Sequence, residues 1–224
     1  MEQAWVPLLL SLKVAGWATA LNLVFGVAAG LGLSRWRSGA RDIVDSLLTL
    51  PLVMPPTVLG YYLLVLLGRR GVFGAWLDRL GIQLVFTWQG AVIASAVVAF
   101  PLVLKSARAA FESVDPQLER AARTLGITET AIFFRVTLPL ATRGILAGTL
   151  LAFARALGEF GATLMIAGNL PGRTQTLSVA VYAAVQAGDD STANFLVLVT
   201  SVTCVVILLL AGRLVPQHSL MTSR

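Results

Sequence analysis

The sequence predicts an all-α membrane protein, a polytopic bundle of about five transmembrane helices. Of its 224 residues 57% are hydrophobic and 12% charged, where soluble domains carry roughly a quarter charged residues. Mean hydropathy is +0.82. Five apolar stretches, near 12–33, 45–67, 87–107, 143–167 and 194–213, each match the ~20 helical residues that cross the hydrocarbon core. None alternates like a barrel strand, and backbone groups cannot go unpaired in lipid, so the spans are helical.

The N-terminus, MEQAWVPLLLSLKVAG, has no basic region before its apolar stretch and no small-residue cleavage site, so the first span is expected to act as its own insertion signal. The second span contains Pro51, Pro55 and Pro56. Each proline removes a backbone donor and crowds the preceding turn, so this span must kink or unwind. Irregular backbone at membrane depth is tolerated only against protein or a water-filled cavity. Two readings follow: a packing kink, or a broken segment lining a path with Thr57.

The fourth span holds Arg155 and Glu159, four residues apart, together with Thr163. An intramembrane charge costs a few kcal/mol, so both must face protein or water. A structural ion pair and an Arg155 that attracts a passing anion are both open, with Glu159 arguing for the pair because it repels anions. Gly144, Gly148, Ala152 and Ala156 form a small-residue stripe for close helix packing. In the loop that follows, Thr176 or Ser178 is placed to start a short amphipathic helix, stopped by Gly188 and the Asp189-Asp190 pair. The fifth span contains the lone Cys204, read as a small apolar residue. His218 lies in a polar tail, and nothing resembles a metal site or a catalytic constellation.

Orientation follows from Lys and Arg counts. Arg35, Arg37, Arg41, Lys105, Arg108, Arg120, Arg123, Arg135, Arg143, Arg213 and Arg224 lie on one side, eleven in all. Lys13, Arg69, Arg70, Arg79 and Arg173 make five on the other. The richer side is cytoplasmic, so the N-terminus faces out and the C-terminus in. This clustering at span ends, rather than nucleic-acid binding, accounts for the net charge of +6.

The loop 108–142 does not look like a passive connection. Asp115 before Pro116 is a strong helix start, and Glu119 sits near the positive end of that helix. Ala121 and Ala122 keep a face thin enough for close approach. Gly126 follows Leu125 as a left-handed stop. Thr128 caps a second short helix, which Leu138-Pro139 is expected to end. Two capped helices with a glycine elbow make a stiff contact.

Glu119, Ala121-Ala122, Gly126 and Leu138-Pro139 resemble the EAA loop by which permeases of ABC importers grip a cytoplasmic ATPase. Arg120, where many relatives carry Glu or Gln, and Val136, in place of the common Ile, are departures. From about Leu9 to Leu214 the chain resembles type I ABC importer permeases of the sulfate, molybdate and tungstate group. ARALGEFGA marks tetrahedral oxyanions in general, while PPTVLGYYLL with GRRG favours molybdate. The resemblance implies one permease domain over 1–224, a homodimer, two cytoplasmic ATP-binding subunits and an extracytoplasmic molybdate-binding protein. No G-x-x-x-x-G-K-[ST] loop occurs, so no enzyme activity or cofactor is expected in this chain, and ATP and Mg belong to the partner. Alternatives are a permease for sulfate or another oxyanion, and an ion-coupled carrier using Arg155 and Glu159.

Overall fold

The computed structural model describes residues 2–214, with side chains placed for 4–209. His218 and Arg224 lie outside the described residues. The described chain is helical throughout, in the order α1 (Glu2–Arg35), α2 (Ala40–Val53), α3 (Pro56–Leu67), α4 (Val72–Arg79), α5 (Trp88–Glu112), α6 (Pro116–Thr124), α7 (Glu129–Ile132), a π-helical turn (Phe133–Thr137), α8 (Leu138–Leu157), α9 (Gly161–Ala167), α10 (Leu177–Gln186) and α11 (Asp190–Leu214). Four helices are long and apolar enough to cross a membrane, and the bent pair α2–α3 makes a fifth.

The central element is α5, whose small and apolar residues are buried along most of its length. It packs against α1, α8, α9 and α2. The expected stripe on α8 explains one of these contacts. A Cβ on Gly144 would lie 2.7 Å from the Ala110 Cβ, and one on Gly148 only 2.2 Å from that of Ser106. Ala152 and Ala156 continue the same seam, both buried. Small residues let the two backbones close up and gain dispersion contacts that lipid cannot supply. Gly148→Val is therefore expected to lower detergent thermal stability by about 1–3 kcal/mol. A melting temperature equal to that of the parent would show that the helices are not locked at this point.

The proline-rich second span is broken, as the sequence requires. Its halves meet at Met54-Pro55 with a bend of 112°, sharper than a simple kink. Pro55 and Pro56 become the cap and first residue of α3, where a missing N–H costs nothing.

The fourth span differs from expectation in two ways. It starts earlier: Glu129 to Leu157 is one helical run long and apolar enough to cross a membrane, so Leu138-Pro139 does not end the second loop helix. The π turn is the reason. Proline crowds the carbonyl four residues back, and the wider turn makes room, with the Leu138 N–H reaching Phe133 O. The span also stops earlier, at Leu157 rather than 167. Gly158, Glu159 and Phe160 interrupt it before α9 begins.

After the fourth span, α10 forms where expected, with Leu177, Val179, Ala180 and Ala184 buried. Its first N–H is satisfied from afar, donating to Ser11 Oγ at 2.8 Å. Gly188 ends it with φ +70°. Asp189 closes that turn, its N–H donating to Ala184 O at 3.0 Å, and also caps the next helix by accepting from the Thr192 N–H. Cys204 is half-buried against the main core.

Candidate functional site

The loop between α5 and α8 folds through local signals. Asp115 Oδ1 accepts from Gln117 N at 2.8 Å, capping α6. At the other end Gly126 has φ +75°, and two bonds close a Schellman turn: Gly126 N to Arg123 O at 3.0 Å and Ile127 N to Ala122 O at 3.3 Å. Thr128 Oγ1 accepts from Ala131 N and caps α7.

Side chains then lock the elbow. Arg123 reaches Glu129 with two bonds, at 2.5 and 3.0 Å. That hydrogen bonding raises the guanidinium's pKa above its ordinary value, so the pair stays charged. Glu119 accepts from the buried Thr137 Oγ1 at 2.6 Å, tying α6 to the π turn at the foot of α8. Glu119 thus braces the loop internally as well as lying in the first turn of α6. Arg123 and Thr137 were not singled out from sequence; the only hint of their roles is their position beside Glu119 and before Leu138-Pro139.

The two alanines diverge. Ala122 is buried within the chain, whereas Ala121 is exposed. Leu118 and Leu125 are exposed to 48% and 79%, with Phe134 also out. Leu118, Ala121 and Leu125 share one face of α6 by their spacing. These side chains put an exposed apolar stripe at the tip of an otherwise charged loop.

The second constellation lies at the breaks of the second and fourth spans, which meet. A Cβ on Gly161 would stand 3.1 Å from Pro56 Cβ and 3.3 Å from Thr57 N. One on Gly60 would stand 2.7 Å from Met165 Cβ and 2.8 Å from Ala162 Cα. So α3 and α9 start side by side and pack closely through glycine, with Thr57 at the junction. Pro51 lies one turn before the break, inside α2.

Arg155 and Glu159 come together here. Arg155 Nη1 is 2.7 Å from Glu159 Oε2, a charge contact without hydrogen-bond alignment. Glu159 is not on the α8 helix, as the sequence reading had it, but in the break. Its Oε1 accepts from Ala162 N at 2.9 Å and so caps α9. The carboxylate side chain is 1% exposed and the guanidinium side chain 35%. Thr163 is buried, with its hydroxyl unpartnered among the described residues. Since Gly148 faces Ser106, Arg155 stands about 10 Å further along α8, toward the membrane middle.

Comparison with known proteins places this architecture. Residues 22–218 match the model of the binding-protein-dependent transport system inner membrane component family. The chain is 46% identical over 212 residues to the molybdenum transport system permease protein ModB of Escherichia coli K12, covering 94% of this chain and 93% of that protein. It is 42% identical to the putative molybdenum permease YvgM of Bacillus subtilis 168, over 86% and 85% of the two chains. Identity to the sulfate permease CysT of E. coli K12 is 36%, over 79% of this chain and 64% of that one. In fold it is similar to the MetNI methionine ABC transporter, with a TM-score of 0.75 at 18% identity, over 96% and 95% of the chains. An alginate ABC transporter gives 0.74 at 20% identity, over 95% and 78%. With a helical bundle, a stiff capped loop and a family match across most of its length, the chain belongs to the inner-membrane permease components of binding-protein-dependent ABC transport systems.

Proposed function

We propose that this chain is the permease subunit of an ATP-driven molybdate importer, acting as a homodimer with two cytoplasmic ATP-binding subunits and an extracytoplasmic oxyanion-binding protein. The observation that supports the substrate is its likeness to molybdenum permeases over nearly their whole length, higher and more complete than its likeness to the sulfate permease. Tungstate, of nearly the same size and charge, is expected to share the path.

Geometry suggests how the subunit works. The exposed apolar face of α6 meets the ATPase. The Arg123–Glu129 and Glu119–Thr137 contacts carry movement of that face into the helical run from Glu129 to Leu157. This rod ends at the Gly158–Phe160 break, where α3 and α9 abut. A shift of the rod therefore acts at a junction where the regular helical ladder is already interrupted, an irregularity that membrane depth tolerates only against protein or a water-filled cavity. Nucleotide chemistry resides in the partner. Proteoliposomes holding the assembled importer should take up molybdate only with ATP inside, with tungstate competing and sulfate competing poorly. Uptake that survives ATP depletion would favour an ion-coupled carrier and sink this reading.

Orientation is testable on a Cys204→Ala background. Thr174 is only 1% exposed, so the neighbouring exposed Asn169 is the better outer probe, and Thr130 serves inside because Thr128 is a cap. A membrane-impermeant maleimide added outside whole cells should label Asn169→Cys and leave Thr130→Cys untouched. The reverse pattern would place the loop on the wrong side for an ATPase.

A further inference from the structure

We propose that the groove between α1 and α5 binds one anionic phospholipid, its phosphate held at Lys13 and Arg173 and an acyl chain lying along Trp17, Leu21 and Ile93. The site is independent of the transported ion; only its assignment to the outer leaflet rests on the orientation proposed above.

The head of the groove is a cavity of about 490 Å³ lined by Lys13, Arg173, Thr87, Gln89 and Trp88 among others. No carboxylate lines it, and neither cation has a carboxylate partner among the described residues. Lys13 Nζ lies 3.6 Å from the centre of the Trp88 ring. Lys over Trp is an arrangement suited to the membrane interface, where an apolar body and a polar tip each find their medium.

Depth agrees. From Lys13 to Arg35 is 22 residues along α1, about 33 Å at 1.5 Å per residue, close to the ~30 Å of hydrocarbon. From Trp88 to Arg108 on α5 is about 30 Å by the same measure. With Arg35 and Arg108 at one boundary, Lys13 and Trp88 lie together at the other.

Below the head the groove turns apolar. A cavity of about 270 Å³ shares Trp88 and Gln89 with it and adds Trp17, Leu21, Val92 and Ile93. A third, about 320 Å³, shares Leu21 and Ile93 and continues to Phe25, walled by Leu47 and Leu48 of α2. Its one amide, Asn22, already donates to Ala96 O at 3.0 Å. Lys13 to Phe25 spans about 18 Å, close to one leaflet's ~15 Å of hydrocarbon. A free oxyanion has no use for that apolar extension, whereas an acyl chain fills it. Lys13 and Arg173, two of the five cations that weaken the charge rule, thereby gain a partner.

Native mass spectrometry of the purified full-length subunit, with whatever subunits accompany it, tests this after delipidation in neutral detergent. Added phosphatidylglycerol should be retained, one per copy, roughly tenfold or more over phosphatidylcholine, as two basic residues at a surface provide. Lys13→Gln with Arg173→Gln should abolish the preference. Leu21→Trp, which blocks the groove but keeps both cations, should reduce retention of either lipid. Sodium molybdate at millimolar concentration should not displace phosphatidylglycerol. Equal retention of the two lipids, a preference unchanged in the double variant, or displacement by molybdate would each overturn the proposal. So would efficient cross-linking of Trp17→Cys to a second copy, which would make the groove a protein interface.

Discussion

Replacing Gly126 with Val is expected to abolish co-purification of the ATPase and ATP-dependent uptake while leaving membrane insertion intact. At φ +75° an L-residue is strained by about 1–2 kcal/mol, and a β-branched side chain fares worse. A Cβ there would meet no atom within 4 Å, so the penalty is conformational and not steric. The chain relieves it by abandoning the left-handed turn. The Gly126–Arg123 and Ile127–Ala122 bonds then break, and α6 turns its Leu118, Ala121 and Leu125 face away from the partner. Because Glu119–Thr137 and Arg123–Glu129 depend on the same elbow, the link to α8 fails with it. Gly126→Asn, which tolerates the left-handed region, should retain most assembly. Affinity capture of the ATPase from membranes of the two variants measures this. Full assembly with Val would refute the elbow, while loss with both would point to the glycine surface itself as the contact.

The elbow was legible in the sequence because its determinants are local. Asp115-Pro116, Gly126 and Thr128 each act within one turn, and the structure uses each as expected. The break in the second span was equally plain from Pro55-Pro56, although its 112° angle depends on packing against α9. The break in the fourth span was hidden. Gly158 and Gly161 sit in an apolar run that continues to Ala167, and helix periodicity passes straight through them. Glu159, which caps α9 from within the break, acts locally, but what presses the two broken spans together is distant in sequence: Pro56 and Thr57 stand where a Gly161 side chain would need to be. Ser11 reaching Leu177 is of the same kind, separated by 166 residues. The run-on of the loop into α8 was missed for another reason. Pro139 normally signals an end, and only the π turn removes its clash.

Arg155→Met alone should be the most damaging single change at the mid-membrane junction. It strands Glu159, whose side chain is 1% exposed, and removing one partner of a buried pair costs about 3–5 kcal/mol. Glu159→Gln should cost less, for two reasons visible in the structure. The amide oxygen can still accept from Ala162 N–H and cap α9, and Arg155 is partly exposed, so its charge is not wholly stranded. The double variant, Arg155→Met with Glu159→Gln, should therefore recover much of the stability lost by Arg155→Met, and with it much of the transport if the pair is structural. Glu159→Ala should do worse than Glu159→Gln, because it removes the cap as well as the charge. If Arg155 instead attracts the passing dianion, the pattern changes: the double variant melts normally yet transports nothing, and Glu159→Gln alone transports well. Detergent melting temperatures and molybdate uptake across the four variants separate the two cases. A stable, fully assembled double variant with no uptake would make Arg155 a pathway residue and end the structural account.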